Sequence, residues 1–166
     1  RALAVLYALL FVSFGFMSCQ QEDDDNGLPD GVYELSDNSA LIGTWQSSYG
    51  EIFKITSTSL SNGGSWGDTY AGNNLVVSYT NDEETAGYIY IKYTRAMNPD
   101  YSYSETAPDV GKWYAIAFKE LTASSISLSG AYNASGKTST ETLEEAISTF
   151  TIANGYFTSY SECVKQ

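Results

Sequence analysis

The sequence predicts an all-β domain, mainly antiparallel, closed into a small up-and-down barrel or folded as a β-sandwich, with one short helix near the carboxyl end. Three observations lead there. Aromatic residues make up 14% of the 166 residues and charged residues only 17%, which excludes a disordered, collagen-like or coiled-coil chain. β-Branched and aromatic runs recur at short spacing between Gly/Asn/Asp turn signals. A single segment has helical rather than period-two apolar spacing.

In order, the strands are predicted at 43–48, 52–58, 75–80, 88–94, 112–121 and 124–132, with a last short one at 156–160. Segments 59–61 and 66–70 are candidates for one or two more. Tyr49-Gly50, Asn62-Gly63-Gly64, Ala71-Gly72-Asn73-Asn74, Asn81 to Glu84 and Asn154-Gly155 punctuate them as turns. The helix rests on Leu143, Ala146, Ile147 and Phe150, spaced i, i+3, i+4 and i+7. Thr142 with Glu145 three positions on forms a capping box in front of it. About two turns are unstable alone, so this helix must lie against the sheet.

Alternation assigns Phe53, Ile55, Ile89, Ile91, Tyr93, Tyr114, Ile116, Phe118, Ile126, Leu128 and Tyr132 to the inward faces. Lys54, Thr56, Lys92, Ser125 and Ser127 fall on the outward ones. Burying each large apolar side chain contributes roughly 1.5–3 kcal/mol before entropy is counted, enough for one core. Seven or eight such one-sided strands remove their edges by closing.

Gly43-Thr44-Trp45 resembles the Gly-x-Trp motif that opens the first strand of lipocalins and related calycins. The resemblance implies a barrel over residues 40–166 whose Trp closes the floor, with a short helix before the final strand. It also implies an Arg from a late strand set over the Trp; here Arg95 is the only Arg after Arg1 and lies mid-chain. A lipocalin-like barrel implies a small apolar ligand held inside, lined by Phe53, Ile91, Tyr114 and Phe118.

The amino end carries its own signal. Ala2 to Met17 is uncharged and follows Arg1. As a helix it would reach about 24 Å, short of the roughly 30 Å hydrocarbon core, and it stops at Cys19-Gln20-Gln21-Glu22. That layout is a secretory signal peptide, residues 1–18. Phe16-Met17-Ser18-Cys19 resembles the lipobox of bacterial lipoproteins, in which the cysteine is acylated, with palmitate among the chains carried, and becomes the mature amino terminus. The resemblance implies lipidation at Cys19 and a membrane partner reached through the anchor; several acyl chains hold firmly where one does not. A plain signal peptide with Cys19 paired to Cys163 is the alternative, open to a chain in an oxidising compartment. Glu22 to Asp25 resembles outer-membrane retention or surface-export signals next to such a cysteine, and residues 19–39 read as an acidic tether. Glu22-x-Asp24-x-Asn26-Gly27 hints at a calcium loop, but loop position 12, which needs Glu, is Tyr33.

Composition narrows function further. With 20 acidic against 8 basic residues the formal charge is -12, which opposes binding to a nucleic-acid backbone. No histidine is present, so imidazole triads and His-ligated metals are excluded, and the expectation is a non-enzymatic protein with no catalytic residue, metal or cofactor. The segment 95–111 reads as a long loop holding Met97, Tyr101 and Tyr103, and such loops are often binding elements. Tyr101, Tyr103 and, in the Gly/aromatic segment 63–70, Trp66 are the candidate partner-binding residues. A surface adhesin or host-interaction module with a filled core is thus the rival to a ligand-carrying barrel.

Overall fold

The computed structural model describes residues 27–166. The signal-peptide segment, Cys19 and the first part of the expected tether lie outside the described residues. Ten strands and one helix follow in order: β1 Tyr33–Glu34, β2 Gly43–Ser47, β3 Glu51–Ile55, β4 Ser59–Gly64, β5 Gly67–Tyr79, β6 Gly87–Met97, β7 Tyr103–Ser104, β8 Trp113–Lys119, β9 Ser125–Gly130, α1 Leu143–Thr149 and β10 Ser161–Lys165. All pairings are antiparallel, and β2-β3-β4-β5-β6-β8-β9-β10 closes back on β2 as an eight-stranded up-and-down barrel. Closure leaves no open edge in the wall, and β1 and β7 add short pairings to β5 and β6.

Register defines the inner face. Trp45 stands opposite Phe53, Ile55 opposite Leu60, Ile91 opposite Tyr114, Ile89 opposite Ile116, Phe118 opposite Leu128 and Cys163 opposite Ile126. Directly opposed residues share a face, so these side chains form one continuous interior, and every one of them is buried. The wall makes room for them with glycine. A Cβ on Gly72 would come within 2.8 Å of the Ile91 Cβ, and one on Gly130 within 2.6 Å of the Tyr114 hydroxyl.

A second apolar layer lies outside. Val76, Tyr90, Ala115 and Ala117 alternate with the inner set along β5, β6 and β8 and are also buried. α1 packs on β8, and the Phe157 ring meets Tyr88 at 5.5 Å. The capping box forms in part: the Thr142 hydroxyl accepts from the Glu145 amide at 3.2 Å, while the Glu145 carboxylate accepts from the amide of Glu141.

Several expectations are corrected. The last strand is Ser161–Lys165, not 156–160, because Tyr156 and Phe157 are buried against Phe150 and Tyr88. Tyr132 lies beyond the end of β9 and is exposed; Ser127 keeps the outward face expected of it, between Ile126 and Leu128, but is buried with its hydroxyl donating to Glu120. The part of the expected tether from residue 27 to 39 is packed chain. Val32 and Leu35 are buried, and Tyr33 and Glu34 pair with Val77 and Val76. The loop expected at 95–111 is largely ordered as the β6–β7 hairpin, with Ala96 opposite Ser104 and Met97 opposite Tyr103.

Candidate functional site

The up-and-down course of the strands sorts the connections into two ends. One end holds the turns after β3, β5 and β8 and the start of β2. There Trp45 is fully buried, donates its indole N–H to the Leu41 carbonyl at 2.8 Å, and carries the Lys165 ammonium 4.9 Å from its ring centroid. The cation that the sequence offered only as Arg95 is therefore a lysine of the last strand. Arg95 instead donates to the Tyr103 carbonyl at 3.2 Å and pairs with Glu105 at 3.6 Å.

The four residues expected to line a ligand, Phe53, Ile91, Tyr114 and Phe118, are all interior and all buried. None of them lines any of the three grooves described on this molecule. Toward the opposite end the interior is filled by a polar and aromatic layer. Tyr114 stacks on Tyr93 with centroids 4.8 Å apart, meets Tyr70 edge-on at 5.2 Å and donates to the Ala131 carbonyl at 3.1 Å. Burial holds the phenols of Tyr70, Tyr93 and Tyr114 well above the usual tyrosine range, with neighbouring phenols adding to the effect, together with Glu51 at Tyr70 and Tyr114 and Asp109 at Tyr93. The Glu51 carboxylate accepts from the Asn62 amide at 2.9 Å and from the Ser161 hydroxyl, and Thr69 donates to Asn62. Beneath it the free Cys163 thiol is buried and pushed up to about 11, chiefly by burial and then by Glu51. This layer stands between the apolar interior and the loops above.

Those loops are the distinctive surface. Each of the four connections at this end carries an exposed ring: Tyr49 after β2 (75% exposed), Trp66 after β4 (57%), Tyr101 after β6 (78%) and Tyr132 after β9 (72%). The stretches 48–50, 65–67 and 131–136 contain no charged residue in a chain of net charge -12. Tyr, Trp, Ser, Gly and Asn dominate them, the composition of antibody recognition loops, where rigid rings give contact area at low entropic cost.

Tyr101 is the most telling of the four. Its backbone is left-handed, with φ at 65°, a region that a bulky residue adopts only at a cost. The turn holds it there through the Tyr101 amide to the Asn98 carbonyl (2.9 Å), the Asn98 amide to the Ser102 carbonyl (2.7 Å), and both the Ser102 amide and hydroxyl to Asp100. The Ser102 bonds hold the Asp100 carboxyl below its ordinary value. Tyr103, by contrast, is half-buried as part of β7, and Trp66 lies across the Gly64 backbone while remaining exposed. Tyr101 and Trp66 thus stand at one end as free rings, with Tyr103 as support. Tyr49 was missed as a single ring in a short turn, and Tyr132 because alternation assigned it inward on a strand that ends at Gly130; only the closed topology brings them to the same rim.

No protein-family model, no curated protein and no solved structure matches this chain.

Proposed function

We propose that this chain is a bacterial cell-envelope lipoprotein of the outer membrane, moored through acyl chains on Cys19, and that its barrel is a non-enzymatic recognition module. The rim of Tyr49, Trp66, Tyr101 and Tyr132 is the surface that meets a protein partner. The observation that carries this reading is Tyr101, a large exposed ring kept in a left-handed conformation by five-residue turn chemistry. Strain of this kind, of order 1–3 kcal/mol, persists where function uses it. A ring fixed in advance loses little entropy on binding.

A small apolar ligand within the barrel is the weaker reading. Phe53, Ile91, Tyr114 and Phe118 would have to leave packed positions to admit it. Among the described residues the Trp45 end exposes one ring, Tyr33, which lies stacked on Tyr79 at the end of β5, whereas the rim exposes four.

Two experiments test the proposal. Radiolabelled palmitate should enter the wild-type chain and not Cys19→Ser; label that persists in the variant overturns the anchor. Formaldehyde cross-linking of intact cells should yield a discrete complex with the wild-type chain that falls at least tenfold with Tyr101→Gly. An undiminished complex removes the rim from the account.

A further inference from the structure

A groove of about 1070 Å3 runs along the outer wall of the barrel, between the chain entering the fold and the start of α1. Its floor is apolar, made by the buried Leu35, Val76 and Leu143, and the half-buried Trp113 lies along it. Its sides are carboxylates: Glu34 and Asp37 from the entering chain, Glu141 and Glu144 from the other bank. No Lys or Arg lines it. Among the described residues only Glu141 of these four has an ion-pair partner, Lys112 at 3.4 Å.

We infer that this groove binds a single-chain cationic amphiphile, an alkyl tail with an ammonium head. The match is one of shape and charge together. Ligand sites of roughly 300–1,000 Å3 are apolar with a few placed polar groups, and this groove is just above that range. The tail replaces water over the Leu35, Val76 and Leu143 floor. The head is held by carboxylates that lack a counter-charge and by the Trp113 face, since ammonium groups are attracted to indole rings within about 6 Å. An anionic or neutral amphiphile gains the first contribution and not the second. The inference does not depend on the rim reading, because the two surfaces share no residue.

Isothermal titration of the full chain with dodecyltrimethylammonium, kept below its micellar concentration, tests this. One saturable site is expected, weakened at least tenfold by the double variant Glu34→Gln/Glu144→Gln and further weakened by salt. Both glutamates are exposed, so the double variant folds as the parent does, and its melting temperature verifies this. Trp113→Leu should also weaken binding. Dodecyl sulfate and dodecyl maltoside should bind at least tenfold more weakly than the cation. Equal binding of the maltoside, or no effect of the double variant, overturns the inference by reducing the groove to an apolar surface. Equal binding of tetramethylammonium or trilysine overturns it by reducing the site to charge alone.

Discussion

The two ends of the barrel are built from the same kind of connection and treat their side chains in opposite ways. At the Trp45 end the turns are closed on themselves. Thr56 and Thr122 each accept the amide of a serine three residues on, Ser59 and Ser125, and Asn81 accepts from the Thr85 and Ala86 amides. No large apolar side chain is exposed in these connections, and the one Trp is sealed beneath Leu41 and Lys165. At the rim every connection holds a ring outward. One end buries its Trp and leaves only Tyr33 exposed, stacked on Tyr79, while the other exposes four rings; the proposed contact surface rests on that difference. Isolated exposed apolar residues are ordinary; what distinguishes these is their common position.

The contrast can be broken from the sealed end first. Trp45→Ala removes the floor and should cost about 3–5 kcal/mol, read as a large fall in the denaturant midpoint. A small change would show that the end is not closed by this ring. Next is the wall beneath the rim, where Gly130→Ala puts a methyl 2.6 Å from the Tyr114 hydroxyl. It should destabilise by about 1–3 kcal/mol, the usual effect of overpacking. A neutral result would mean that the aromatic layer has room to move.

At the rim the sign reverses. Tyr101→Gly releases roughly 1–2 kcal/mol of left-handed strain and loses about 0.5–1 kcal/mol to the flexibility of glycine. The variant should therefore be more stable by about 0.5–1 kcal/mol, while recognition is lost. Serine at Tyr49, Trp66 and Tyr132, taken singly, should change stability by no more than about 0.5 kcal/mol. A loss of 2 kcal/mol at any of these would assign that ring to the fold instead.

The finest distinction is the share of the alkaline pH dependence that Cys163 contributes. Its thiol is raised from the ordinary 9.0 to about 11, so between those values the unfolded chain releases a proton that the native chain keeps. The unfolded state then binds fewer protons, and stability falls as pH rises through that window. The stability difference between wild type and Cys163→Ala should be flat below pH 8 and shift against the wild type above pH 9. A flat difference up to pH 11 would contradict the burial of the thiol.

The barrel itself was legible because period-two alternation and turn residues are local signals. Phe53, Ile91 and Phe118 could be assigned inward from their neighbours alone. The helix was legible for the same reason, through Leu143, Ala146 and Phe150. The signals that failed were those set by tertiary packing. Tyr156 and Phe157 look like a strand but are buried against rings distant in sequence, and β10 has too few apolar residues to announce itself. Lys165 over Trp45 links residues 120 positions apart, and no spacing rule reports such a contact. Of the rim, Tyr101 and Trp66 were visible because they stand in conspicuous Tyr- and Gly-rich stretches. The groove between residues 34–37 and 141–144 was not visible, since it exists only where the entering chain and α1 meet the barrel wall.

The central claim is that one end of this barrel faces a partner and the other does not. Site-specific photo-cross-linking in living cells tests it, with benzoylphenylalanine placed at Tyr101 in one strain and at Asp82, in the turn between β5 and β6, in another. The account predicts a discrete protein adduct from position 101 and none from position 82. An adduct from position 82 alone, or none from either, would contradict it.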